Sequence, residues 1–159
     1  MSKFDILLDD SIFESEGEQV VLGSINIGDF QEKFYASLSY WDRNQYLSQW
    51  KLALERVLNG EPCSALVTTM YDPSKANFIF WWVLYVLEDE IYIQNHTLFL
   101  DEVDSPFNEF DLYSSIPDRK TQTEEGESIS EWKVKMSAVK EFYDCYEVND
   151  AKLMASDIC

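Results

Sequence analysis

Two carboxylates and a lysine stand in an order that metal-dependent nucleases use: Pro117-Asp118, then Glu131-Trp132-Lys133. In that chemistry Asp118 and Glu131 would hold a Mg²⁺ ion while Lys133 helped to activate a water. The pattern is short, and a chain with 30 acidic residues offers many chance versions of it. It also opposes the net charge of −18, because a nuclease must approach a polyanion. The single histidine, His96, has no nucleophile or orienting acid tied to it by the sequence, so a structural role is expected. Cys63, Cys145 and Cys159 form no C-x-x-C pair, which leaves zinc and thioredoxin-like chemistry without ligands. The 5 glycines are dispersed, with no phosphate-cradling loop among them. The sequence therefore predicts no enzyme, no metal and no cofactor, with a nuclease built on Asp118, Glu131 and Lys133 as the alternative.

The acids themselves carry more information. From Asp101 to Asp118 the chain holds Asp101, Glu102, Asp104, Glu109, Asp111 and Asp118 with no basic residue, and Val103, Phe107, Phe110, Leu112 and Tyr113 lie between them. They lack the spacing and central glycine of a calcium loop. Acids interleaved with aromatics describe a loop that is anchored, and long anchored loops are often functional. The candidate partner-binding residues are Asp101, Glu102, Asp104, Glu109 and Asp111, with Tyr85 or Trp82 as an aromatic anchor. The acidic amino-terminal residues Asp9, Asp10, Glu14 and Glu16 are the second choice. A strongly negative chain repels nucleic acid and anionic membranes and attracts basic proteins. The competing explanation is a solvated loop kept acidic for solubility.

These residues need a scaffold, and its centre is the unbroken apolar run Phe78 to Leu87. As a strand it is apolar on both faces, so both need cover. It is too short for a membrane helix, which needs about 20 apolar residues. Turn residues at Tyr71–Asn77 and Glu88-Asp89 separate it from Ser64–Met70 and Glu90–Gln94, predicting an antiparallel meander. Upstream, Phe4–Leu8 reads as a strand, Ser11–Glu18 as an acidic turn region, Val20–Ile27 as a strand bulged at Gly23, and Phe30–Tyr40 as a further strand. Asp42 and Gln45 form a capping-box pair ahead of a helix carrying Tyr46, Leu47, Trp50, Ala53, Leu54, Val57 and Leu58 on one stripe. That stripe is expected to cover one face of the sheet. Arg43, Ser48, Gln49, Lys51, Glu55 and Arg56 then face away, so Gln49→Ala is expected to cost little. Asn59-Gly60 and Pro62 end the helix. Later, His96-Thr97-Leu98-Phe99-Leu100 follows the meander with His96 at a strand boundary, Ile129–Lys135 alternates as a strand, and Ser137 caps a last helix bearing Val139, Phe142, Tyr143 and Tyr146. The expected fold is α+β, a single domain over residues 1–159. It is mainly antiparallel sheet with a central apolar strand, packed by one long helix and a second carboxyl-terminal helix, with residues 147–159 frayed. The amino terminus lacks the apolar core of a signal peptide, so a reducing cytosol is the expected compartment.

Several stretches carry a family likeness: Ser39-Tyr40-Trp41-Asp42, Leu58-Asn59-Gly60, Ser64 through Pro73, and Ala76 through Trp82. Tyr92-Ile93-Gln94-Asn95, Leu98-Phe99-Leu100-Asp101 and Ile129-Ser130-Glu131-Trp132 continue it. Together, from Phe34 to Phe142, they resemble immunity proteins of bacterial contact-dependent growth inhibition systems. The resemblance implies a cytoplasmic antitoxin that binds the toxic carboxyl-terminal domain delivered by a neighbouring cell. Many such toxins are basic nucleases, including RNases that cleave tRNA, and carboxylates placed where phosphates would lie suit their inhibition. The alternative to this inhibitor, besides the nuclease, is a generic acidic protein-binding subunit.

Overall fold

A computed structural model describes residues 3–101 and 107–148, except the side chains of residues 109 and 146–148. The order along the chain is β1 (Phe4–Ser15), β2 (Glu18–Ile27), β3 (Phe30–Ser37), α1 (Arg43–Leu58), β4 (Cys63–Thr69), β5 (Phe78–Leu87), β6 (Glu90–Phe99), β7 (Trp132–Lys135) and α2 (Met136–Val148). A 3₁₀ segment, Glu109–Ser115, lies between β6 and β7. The strands form two antiparallel sheets, β1-β2-β3 and β4-β5-β6-β7. The expected meander is β4-β5-β6, with the apolar run β5 hydrogen-bonded on both sides. Residues 90–99 form one continuous strand that includes His96. Among the described residues no helix is long and apolar enough to cross a membrane.

The first sheet departs from the expected pattern in two ways. β1 runs to Ser15 and the turn is only Glu16-Gly17, both at positive φ (51° and 84°). Its polar half, residues 9–15, is mostly exposed yet stays paired with β2, because a strand with one solvated face tolerates acids. The irregularity lies in β1, where the register shifts between Leu8 and Ile12, opposite Gly23. Gly23 instead makes room for a side chain. A Cβ there would fall 2.4 Å from the Phe34 ring, which crosses the position from the paired strand. β3 stops at Ser37, short of the expected Tyr40.

Helix α1 begins with the predicted capping box: the Asp42 carboxylate accepts from the Gln45 amide at 2.8 Å, and Gln45 Oε1 accepts from the Asp42 amide at 2.9 Å. It does more than cover a sheet face. It lies along the outer edge of β4 and satisfies that edge with side chains. Gln49 Nε2 donates to Ala65 O and Gln49 Oε1 accepts from Val67 N, both at 2.8 Å. Trp50 Nε1 donates to Val67 O at 2.7 Å, and Arg56 donates to Cys63 O at 3.1 Å. Tyr46 Oη accepts from Met70 N at 2.9 Å and donates to Ser37 O at 2.6 Å, linking the edges of both sheets. Gln49, placed on the polar face by periodicity, is thus buried and acts as a stand-in strand. An open edge exposes a row of unpaired backbone groups, and here a helix closes it.

One core joins the sheets. Phe30 of β3 stacks on Trp132 of β7 at 4.1 Å and lies 6.2 Å from Trp82 of β5, while Phe34 meets Trp50 edge-on at 6.0 Å. α2 starts at Met136, whose amide donates to Asp89 O, rather than at a Ser137 cap. It packs Val139 and Phe142 inward, with Phe142 edge-on to Phe4 at 5.8 Å. Of the tail expected to fray over residues 147–159, residues 147 and 148 belong to α2, and the rest lies outside the described residues.

Candidate partner-binding site

Capping and packing fix the segment that carries Glu109 and Asp111, two of the predicted acids. The Asn108 side chain accepts from the Phe110 amide at 2.9 Å and starts the 3₁₀ segment, which kinks at Asp111. Leu112 is buried, and Tyr113 receives the Arg56 guanidinium over its ring at 4.1 Å and a weak hydrogen bond from Gln49 Nε2 at 3.4 Å. Burial pushes the Tyr113 hydroxyl pKa up. With its neighbours held against α1, Phe110 points outward and is 90% exposed. Between the segment and α1 lies a cleft of about 480 Å³, lined in part by Trp41, Asp42, Leu52, Phe110, Leu112 and Tyr113. Leu52, 58% exposed, gives the helix side of the cleft an apolar surface.

The structure brings some of the predicted residues to this region and removes others. Asp111 is exposed at the kink, and Asp101 is exposed just beyond β6. The register puts Phe99 beside Phe78 and Thr69 beside Phe80, so Asp101 stands at the end of the sheet where β4 finishes. α1 begins at that same end, since Tyr46 contacts Met70. Among the described residues neither Asp101 nor Asp111 has an ion-pair partner. Glu102 and Asp104 lie outside the described residues, as does the side chain of Glu109. The aromatic anchors are corrected. Trp82 is 1% exposed and packs against Phe30 and Trp132, and Tyr85 is buried with its hydroxyl donating to Pro117 O at 2.8 Å. Burial, with Cys63, Asp118 and Glu131 nearby, pushes the Tyr85 pKa up to about 12. Trp82 and Tyr85 are thus taken up by the core, and the most exposed large apolar side chain among the described residues is Phe110, which the sequence marked only as one apolar residue among acids.

The nuclease alternative is not assembled. Both Glu131 oxygens take hydrogen bonds from Arg119, at 2.9 and 2.7 Å, and Gln94 donates to one of them at 2.8 Å. Burial works to raise the Glu131 pKa, but these hydrogen bonds and the Arg119 charge outweigh it and hold the carboxyl below its ordinary range. Lys133 pairs with Glu90 at 3.4 Å. Asp118 is exposed, and no group of 3 or more His, Cys, Asp or Glu side chains among the described residues could hold a metal ion. His96 faces Gln94 Oε1 at 2.7 Å, and burial pushes its pKa down.

Residues 36–142 match the CdiI N-terminal domain family. The chain belongs to the CdiI family. It is 40% identical over 128 residues to the immunity protein CdiI of Enterobacter cloacae subsp. cloacae, a match covering 80% of this chain and 88% of that protein. Its fold matches a chain of the CdiA-CT/CdiI toxin and immunity complex from Enterobacter cloacae with a TM-score of 0.82 at 37% identity, covering 92% of this chain and 99% of that one. As a CdiI protein it is an immunity protein of a contact-dependent growth inhibition system, an inhibitor and not an enzyme. The CdiI family match runs from the end of β3 through α1, the second sheet and into α2, so it includes the cleft, the 3₁₀ segment and Asp101.

Proposed function

We propose that this CdiI protein neutralises, by stoichiometric binding in the cytosol, the toxic carboxyl-terminal domain of a CdiA-type effector. The toxin is a basic nuclease domain, in the simplest case an RNase that cleaves tRNA. Its contact residues are the acids of one stretch of sequence, Asp101, Glu102, Asp104, Glu109 and Asp111, together with the cleft beside α1. The observation that carries this reading is Phe110. A phenyl ring left 90% exposed between a fixed Leu112-Tyr113 clamp and acidic neighbours costs hydration free energy that a partner would recover. Long-range attraction by a chain of net charge −18 speeds encounter with a basic domain, and burial of the aromatic then slows release. A stable complex of this kind buries about 1,600 Å².

The test is co-purification with the cognate toxin domain, followed by an RNA-cleavage assay with and without this protein. One-to-one binding and loss of cleavage are expected. A toxin that is bound but has no nuclease activity would remove the nuclease part alone. Phe110→Ala should raise the dissociation rate, and Asp101→Asn with Asp111→Asn should lower the association rate and flatten its salt dependence, since exposed charges act over about 8–10 Å. Unchanged rates in both would move the contact surface elsewhere.

A further inference from the structure

A second recess lies between β3 and the second sheet and shares no lining residue with the cleft beside α1. It is a pit of about 300 Å³ with aromatic walls: Phe34 and Tyr35 from β3, Phe80 and Trp82 from β5, and Tyr71 from the β4–β5 connection. Among the described residues, Glu32 is the only charged one lining it. Glu32, Phe30 and Phe34 alternate along β3 and share the face that turns toward the second sheet, so the half-buried Glu32 lines the pit beside these rings. Asn95 holds it in place, donating from Nδ2 at 3.1 Å. Thr69 Oγ1 bonds to Tyr35 O at 2.8 Å and ties the two sheets together beside the opening.

The surface around the pit is aromatic too. Tyr35 is 55% exposed and meets Phe13 edge-on at 5.6 Å. Phe80 is 37% exposed and continues through Phe78 to Tyr71 by edge-on contacts of 5.4 and 5.5 Å. A contiguous exposed apolar patch on a monomer is a mark of an interaction site. The field at this patch is negative: besides burial, the Glu18 and Glu16 carboxylates push the Tyr71 pKa up.

Any partner that covered the pit would strip water from Glu32, to which Asn95 donates a single hydrogen bond. A neutral or apolar occupant would leave that carboxylate buried without a counter-charge, which is costly. A guanidinium removes the problem, since it is planar, stacks on rings and donates to a carboxylate in two places. We propose that this pit receives one arginine side chain of the bound toxin domain, stacked between the aromatic walls and paired with Glu32. The proposal rests on the immunity reading above and adds a second anchor to it.

The probe is the cognate toxin domain, titrated by calorimetry against wild type, Glu32→Gln and Tyr71→Ser, with thermal unfolding of each variant to establish that it is folded. Wild type binds, and each variant is expected to bind 10- to 100-fold more weakly while keeping its unfolding transition. Alanine replacement of the toxin arginines one at a time should find one whose loss is no longer felt in Glu32→Gln. Binding of both folded variants within twofold of wild type overturns the pit proposal and leaves the immunity function standing. Coupling of Glu32 to a toxin lysine, or to no toxin residue, overturns it as well. Self-association of Glu32→Gln in sedimentation with undiminished toxin affinity would assign Glu32 to protection of the β3 edge instead, and overturns it too. Absence of toxin binding by wild type overturns the immunity reading and the pit together.

Discussion

Two sides of the same helix treat polar groups in opposite ways. Toward β4, α1 meets backbone atoms with side chains: Gln49, Trp50 and Arg56 supply partners to Ala65, Val67 and Cys63 at 2.7–3.1 Å. Toward the 3₁₀ segment, the same helix leaves a cleft bordered by Asp42 and Leu52, with Phe110 projecting beyond it. On the first side these β4 backbone groups are paired in the free protein, because an unmet buried amide or carbonyl costs about 1–3 kcal/mol, although the buried Arg56 Nε finds no partner among the described residues. The second side leaves Leu52 and Phe110 exposed to solvent. Gln49 touches both, bonding to β4 and lining the cleft. The contrast teaches that acid count alone does not mark an interface. Glu131 is fully committed to Arg119 and Gln94, whereas Asp101 and Asp111 have no ion-pair partner among the described residues.

The largest effect that would test this contrast is expected from Leu54→Ala. Leu54 is fully buried on α1, and the cavity left behind should cost about 2–5 kcal/mol in denaturant unfolding. A cost near zero would mean that α1 is not seated in the core. Gln49→Ala comes next, at about 1–3 kcal/mol, because Val67 N and Ala65 O lose their partner inside the protein. This reverses what helical periodicity alone predicts for a residue on the polar face. A variant as stable as wild type would show the β4 edge to be open.

A smaller effect is carried by pH. Burial holds the native His96 pKa below 6.5, so between that value and the native one the unfolded chain binds more protons than the folded one. The contribution of His96 is therefore full above pH 6.5 and lost as the pH falls toward its lowered native pKa. Glu131, held below its ordinary 4.5, acts in a lower window: its contribution is present above 4.5 and lost as the pH falls through the native value. Stability measured against pH should decline in two stages, and His96→Asn should abolish the upper stage alone. A single decline unaffected by His96→Asn would contradict the burial of this side chain. The smallest effect belongs to the open side, where Asp101→Asn with Asp111→Asn should change stability by no more than about 0.5 kcal/mol. A larger loss would mean that these acids work within the fold rather than for a partner.

Much of the scaffold was legible in the sequence because it follows from local rules. The unbroken run Phe78–Leu87 could only be an interior strand, the Asp42–Gln45 capping box announced α1, and Asn59-Gly60 ended it. These signals depend on neighbours a few residues away, so the sequence by itself determined them. It determined, too, the acidic field and the stretch where acids meet aromatics. What it could not determine is which side chains meet across long separations. Periodicity assigned Gln49 to solvent, yet the free edge of β4 lies 16 residues onward and draws its amide inside. Trp82 and Tyr85 looked available as anchors until both faces of β5 were covered by Phe30, Trp132 and Pro117. Glu32 was one acid among 30 until the fold set it beside an aromatic recess. The physical reason is the same in each case: periodicity tells which residues share a face, but only packing decides what that face meets, and hence which polar group is satisfied from within and which is left at the surface.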